Sequence, residues 1–149
     1  MRLLIVTLML LATPVHALEW VPAALVEELS PPELDAEGCA LPAAGRHIER
    51  NTDGVLVACG MLVNDRRDGY WVYANGRYFM HGWYHAGQRT GTWLALTVAG
   101  ALSGVWRFDQ AGTEHGISYA LEGDGRLAWK QVHVHGQRVF ACEGWEWPC

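Results

Sequence analysis

Four histidines have a spacing that could hold a metal ion. His133 and His135 lie two residues apart, and His81 and His85 lie four apart. Imidazole is a common ligand of transition metals. However, an alignment of the chain's repeated copies, described below, puts position 81 on the predicted core side of a sheet and position 133 on the other side. No carboxylate is spaced to complete either pair, so we expect neither a metal site nor a cofactor.

Catalytic patterns are missing from the sequence. The serines that follow the first 17 residues are Ser30, Ser103 and Ser118, and none lies in a Gly-x-Ser-x-Gly or Ser-x-x-Lys motif. Glu143 and Glu146 belong to a predicted tail, and the many glycines lack the lysine of a phosphate-binding loop. We therefore expect no catalytic residue and predict that the protein is not an enzyme.

The cysteines point to disulfides. There are four, Cys39, Cys59, Cys142 and Cys149, and an even count behind an export signal is typical of an oxidising compartment. Zinc is disfavoured because no Cys-x2-Cys pair is present. Three connectivities are possible. We favour Cys39–Cys59 and Cys142–Cys149, since each closes a short loop at one end of the repeated region.

Arginine and tryptophan supply the candidate binding groups. Arg67, Arg89 and Arg138 occupy the same position in three copies and are expected to line one edge of the sheet, as a candidate binding edge. Alternatively, they only keep the turns hydrated and discourage edge aggregation. The chain has eight Trp and five Tyr. An exposed Trp could stack on a sugar ring, but we expect Trp71 and Trp93 to form a structural column.

These residues are positioned by an internal repeat. Gly54, Gly60, Asp65, Gly69 and Trp71 return 22 residues later as Gly76, Gly82, Gly87, Gly91 and Trp93. Self-similarity of this length indicates a repeat architecture. Two degenerate copies follow, with Ser118 and Cys142 at the position of the Trp.

Each copy is predicted to be a β-hairpin. Apolar and aromatic stretches alternate with turn residues such as Asn75-Gly76, and the polar groups 65–69 and 87–91 are predicted to form the opposite turns. Superposed copies predict a core column of Met61, Trp83, Phe108 and Val132, and place Val57 and Phe79 on the same face.

The copies resemble the MORN-repeat superfamily, and are most similar to bacterial YwqK-family toxin–antitoxin antitoxins. Asn64-Asp65, Gly69-Tyr70-Trp71 and Asn75-Gly76 carry the likeness. The resemblance implies a mainly β fold, an elongated, twisted, antiparallel single sheet of repeated hairpins. It also implies a protein partner. Ser118 and Cys142 depart from the pattern.

The sequence divides into four segments. Residues 1–17 read as a signal peptide, with Arg2, an apolar run over 3–12 and a cut after Ala17. Residues 18–53 form a leader with a short helix, 54–142 the repeats, and 143–149 a Trp-rich tail. We expect a periplasmic or secreted protein, with no membrane insertion after cleavage.

The charge and the segments together favour a binding role. The net charge of −5 without a basic cluster argues against nucleic acid. The sequence predicts an exported, non-catalytic repeat protein that binds another protein, in an antitoxin, immunity or scaffold role. The alternative is binding of a cell-envelope glycan through exposed Trp.

Overall fold

The computed structural model describes Gly38, Cys39 and residues 45–144. Within these residues the chain is all β, with nine strands and no helix. The strands are β1 (Arg46–Arg50), β2 (Leu56–Val63), β3 (Arg66–Ala74), β4 (Tyr78–His85), β5 (Gln88–Thr97), β6 (Leu102–Phe108), β7 (Gly116–Leu121), β8 (Leu127–Val134) and β9 (Gln137–Glu143).

The described strands form one open antiparallel sheet in the order β1 to β9. Each strand pairs with its neighbours in sequence, so the sheet is a meander of hairpins, as predicted. It already begins at β1, inside the segment assigned to the leader. The predicted helix, the predicted signal peptide and residues 145–149 of the predicted tail lie outside the described residues. The described part holds no helix of the length and apolarity needed to cross a bilayer.

The hairpin turns on the arginine side are shorter than predicted. Asn64 and Asp65 have φ angles of 51° and 60°, and Ala86 and Gly87 have 49° and 89°. Two successive left-handed residues form the two-residue turn that suits the twist of paired strands. The prediction of turns over 65–69 and 87–91 is therefore wrong, because most of these residues belong to β3 and β5.

The repeated Gly and Trp positions form one packing device. Trp71 lies over Gly60 of the preceding strand, and a Cβ at position 60 would overlap its indole ring. The indole Nε1–H of Trp71 donates to the carbonyl of Met61 at 3.1 Å. Trp93 repeats this arrangement over Gly82, with its own Nε1–H donating to a β4 carbonyl at 3.1 Å. The 22-residue spacing thus reflects an indole that needs a glycine beneath it.

The third copy also has an indole against its glycine, but here both residues belong to one strand. Gly104 stands 22 residues after Gly82, and a Cβ there would lie 2.7 Å from the ring of Trp106 on the same strand. Ser118, which replaces the expected Trp, is buried. Its small side chain leaves room on this face of the sheet for the indole ring of Trp106 in β6.

Two buried clusters hold the sheet together. The first contains Ala58, Trp71, Tyr84 and Trp93, which confirms the structural role predicted for both tryptophans. The second is centred on Val72 and the predicted Cys39–Cys59 disulfide, whose Cα atoms are 5.9 Å apart. This bond ties Cys39, from the leader, to β2. Cys142 is also disulfide-bonded. Its predicted partner, Cys149, lies outside the described residues, so that pairing stays a prediction.

The packing device predicts that Gly60→Ala and Gly82→Ala each lower the free energy of unfolding by about 1–3 kcal/mol, since the methyl group collides with an indole ring. Urea denaturation monitored by circular dichroism measures this loss. Gly123→Ala is the matched control, because a Cβ at this turn position meets nothing within 4 Å. Equal stability of Gly60→Ala and Gly123→Ala would contradict the packing account.

Candidate functional site

One face of the sheet carries a closed aromatic cluster, here called the aromatic face. Trp71, Tyr73, Tyr84 and Trp93 contact each other with ring centroids 5.1–6.1 Å apart. The Tyr73 hydroxyl donates to that of Tyr84 at 3.0 Å. Both indoles are completely buried. This cluster is packing rather than a surface on which a ligand could stack.

Two of the three predicted edge arginines cover this cluster. The Arg67 guanidinium lies 4.8 Å from the Trp71 ring centroid, and that of Arg89 lies 4.9 Å from Trp93. The Arg67 guanidinium also forms an ion pair with the Glu49 carboxylate, with a nitrogen–oxygen distance of 3.2 Å. Each cation thus sits over an electron-rich ring face, an attractive arrangement. Because both arginines are second residues of strands rather than turn residues, they project onto the aromatic face.

Arg138 occupies the corresponding place in β9. It lines a shallow hollow with Trp129 and Glu143, beyond the buried cluster. The structure therefore places all three arginines near tryptophans at matching strand positions. Partner binding by Arg67, Arg89 and Arg138 stays a prediction.

The opposite face carries four exposed large apolar side chains, one each on β2, β4, β7 and β9, here together called the apolar row. Residues directly opposite each other in antiparallel strands project from the same face. Met61 is paired with a residue of β3, and Trp83 is paired with Tyr70. Ile117 is paired with Val132, which in turn is paired with Phe140. The exposed fractions are 39% for Met61, 53% for Trp83, 45% for Ile117 and 39% for Phe140. These four residues define the apolar row.

The apolar row corrects the predicted core column. Met61 and Trp83 are exposed, as is Phe79, so the prediction that they form a core face is wrong. Phe108 lies on the other face, where it pairs with Gly91 and packs against the aromatic cluster. Met61, Trp83 and Phe79 do share a face, but the aromatic face is the one that is more tightly packed.

A tyrosine–histidine pair, with the histidine buried and the tyrosine half-buried, lies beside the apolar row. The Tyr70 hydroxyl and His81 Nδ1 form a hydrogen bond, and Tyr70 packs edge-on against Trp83 with centroids 5.2 Å apart. Burial lowers the pKa of His81 to about 4 and raises that of Tyr70. At neutral pH the imidazole is therefore uncharged and accepts from the phenol. Its Nε2 is buried without a hydrogen-bond partner among the described residues.

The four histidines singled out in the sequence do not form one cluster. His81 and His133 lie on opposite faces, as predicted, because His133 is in register with Gly116 while His81 is in register with Val72. His133 Nε2 lies 3.1 Å from a carboxylate oxygen of Glu114. His85 Nδ1 lies 3.6 Å from Asp68.

The structure brings His135 to two residues that the sequence analysis did not consider. His135, His115 and Asp109 offer one ligand atom each, all within 4.8 Å of one another. The three come from two turns of neighbouring copies. A better alignment of the degenerate copies, which places the turn after β6 beside the turn before β9, would have revealed them.

Comparison with known proteins adds no assignment: no protein-family model matches the chain, and searches of curated proteins and of solved structures find no match.

The His81 environment predicts a pH-dependent stability. The unfolded chain binds a proton at this residue below about pH 6.5, whereas the folded chain binds it only below about pH 4. Between these values the unfolded state holds more protons, so stability falls as the pH falls. We expect a loss on the order of 3 kcal/mol from this residue across the window.

Urea denaturation at pH 7 and pH 4.5 measures this effect. His81→Gln should reduce the difference between the two pH values, since glutamine accepts from Tyr70 without titrating. His85→Gln, at an exposed position, is the control and should retain the wild-type difference. An unchanged difference in His81→Gln would show that His81 titrates normally.

Proposed function

We propose that this protein is an exported, non-catalytic β-repeat protein that binds another protein through the apolar row. The observation that carries the proposal is the exposure of Met61, Trp83, Ile117 and Phe140 along one sheet face. Large apolar side chains exposed on one face of a sheet are candidates for an interaction site. Met and aromatic residues are enriched at protein interfaces.

The layout of the sheet supports this choice over the arginine edge. Arg67 and Arg89 are already engaged with aromatic rings, so recruiting them would mean giving up those contacts. The apolar row needs no rearrangement to become buried. We infer a partner whose own apolar surface lies against the row, because covering these side chains removes apolar area from water.

The compartment and biological role rest on the sequence. The apparent signal peptide and the cysteine count support export to the periplasm or beyond. The likeness of the copies to MORN repeats of YwqK-type antitoxins supports a MORN-like fold and a toxin-neutralising, immunity-like or scaffold role. A periplasmic immunity protein would combine both features.

The binding proposal predicts that Trp83→Ser weakens partner binding by about 2 kcal/mol or more, as for a central interface tryptophan. A photo-activatable cross-linker placed at position 83 in the native host identifies the partner, and calorimetry on the purified pair measures affinity. Val98→Ser is the matched control, since Val98 is 65% exposed and lies in the turn between β5 and β6.

Two results would contradict the proposal. A cross-linker at position 83 that captures no more protein than one at position 98 would indicate that the row has no partner. Equal affinities of Trp83→Ser and Val98→Ser would place the interface elsewhere.

Glycan binding is the second candidate, because Trp83 is more than half exposed and its ring is held by Tyr70. An indole presented in this way could stack on the apolar face of a sugar. This candidate predicts that cell-wall glycan fragments change the tryptophan fluorescence of the wild type and not of Trp83→Ser. A flat titration of the wild type would remove the glycan candidate.

A further inference from the structure

Two neighbouring turns carry a carboxylate and two imidazoles. Asp109 begins the turn that follows β6, His115 ends it, and His135 lies in the turn between β8 and β9. His135 Nδ1 is 3.5 Å from Asp109 Oδ2. The rings of His115 and His135 have centroids 4.7 Å apart.

The backbone that joins these turns is a standard part of the repeat. Gly136 N–H donates to the carbonyl of Glu114 at 2.8 Å, and in an earlier copy Gly87 N–H donates to the carbonyl of Arg67 at the same distance. The two junctions therefore have the same construction, and positions can be compared between them.

The comparison shows that the fold does not require the His135 side chain. The equivalent residue is Ala86, whose φ of 49° matches the 48° of His135. The N–H of Ala86 donates to Asp68 at 2.9 Å, and that of His135 donates to His115 Nδ1 at 3.2 Å. An alanine thus suffices to build this turn, so the imidazole at position 135 is available for another purpose.

Asp109 presents one oxygen in a fixed direction. Its Oδ1 accepts the backbone N–H groups of Ala111 and Thr113, both at 2.9 Å. These bonds hold the carboxylate and leave Oδ2 facing His135. The hydrogen bond from the backbone N–H of Thr113 to the ionised carboxylate is the largest cause that lowers the pKa of Asp109.

We propose that Asp109, His115 and His135 bind one divalent transition-metal ion, of the class that imidazole and carboxylate ligands select, such as Zn²⁺ or Cu²⁺. Zinc bonds of about 2.0–2.1 Å in a tetrahedral site separate ligand atoms by roughly 3.3 Å. The 3.5 Å between His135 and Asp109 already fits this separation.

The third ligand atom, on His115, lies within 4.8 Å of the other two and has to approach them on binding. His115 Nδ1 accepts the backbone N–H of His135, so this nitrogen keeps its lone pair. When an ion binds to this lone pair, the solvent-exposed hydrogen bond from the backbone N–H is lost. Since both histidines are exposed, water can complete the coordination.

Zinc titration of the untagged, oxidised full chain tests the proposal by calorimetry. We expect one Zn²⁺ per chain in the wild type. His135→Ala should lower the affinity by at least about tenfold, since even loss of an outer-shell partner commonly costs that much. Its unfolding temperature without metal should stay near the wild-type value, because Ala86 forms the same turn. His85→Ala is the matched control and should bind zinc as the wild type does.

Asp109→Asn distinguishes the role of Asp109 as a charged ligand from its role in holding the turn. The amide oxygen can still accept the two backbone N–H groups, so the turn should be retained while zinc affinity falls. Absence of zinc binding by the wild type, or equal binding by His135→Ala, would overturn the proposal. This test is independent of the apolar row, and a failure of partner binding has no bearing on it.

Discussion

An indole ring lying on a glycine of the preceding strand is the contact on which the rest of this sheet depends. Trp71 over Gly60 and Trp93 over Gly82 each fix one strand against the next, both by steric fit and by an indole N–H to a backbone carbonyl. Such a ring fits only where its partner lacks a side chain. A slip of one residue would put it on the other face, above a residue with a Cβ. The contact therefore specifies the register of the hairpins and makes the repeat visible in the sequence.

The same contact gives the sheet two unlike faces. Side chains alternate across a strand, so placing the tryptophans on one face sends Met61 and Trp83 to the other. On the aromatic face Arg67 and Arg89 complete the cover. On the other face the Cys39–Cys59 bond and Val72 form a buried centre, and the apolar row runs exposed beside it. A closed face that supplies stability thus leaves large apolar side chains exposed on the other face.

Much of the fold could be predicted from sequence, and the site could not. The 22-residue spacing indicated hairpins, Trp71 and Trp93 were expected in a structural column, and Cys39 pairs with Cys59 as favoured. Period-2 alternation shows which residues of one strand share a face, but it does not show which face is covered; this is why the sequence predicts Met61 and Trp83 in the core. The third copy uses Trp106 rather than position 118, and its longer turn shifts the alignment. That shift hid the meeting of His115 with His135, which depends on contacts between turns of different copies.

Hydroxyl-radical footprinting of the folded, oxidised protein tests the two-faced sheet most directly. Radical oxidation of an indole follows its exposure to solvent, and mass spectrometry of peptides assigns the modification to each tryptophan. The structure predicts that Trp83 is oxidised readily while Trp71 and Trp93 are protected until the protein unfolds. Comparable oxidation of Trp83 and Trp93 in the folded protein would contradict the account, because it would mean that the repeated tryptophans do not form a closed face.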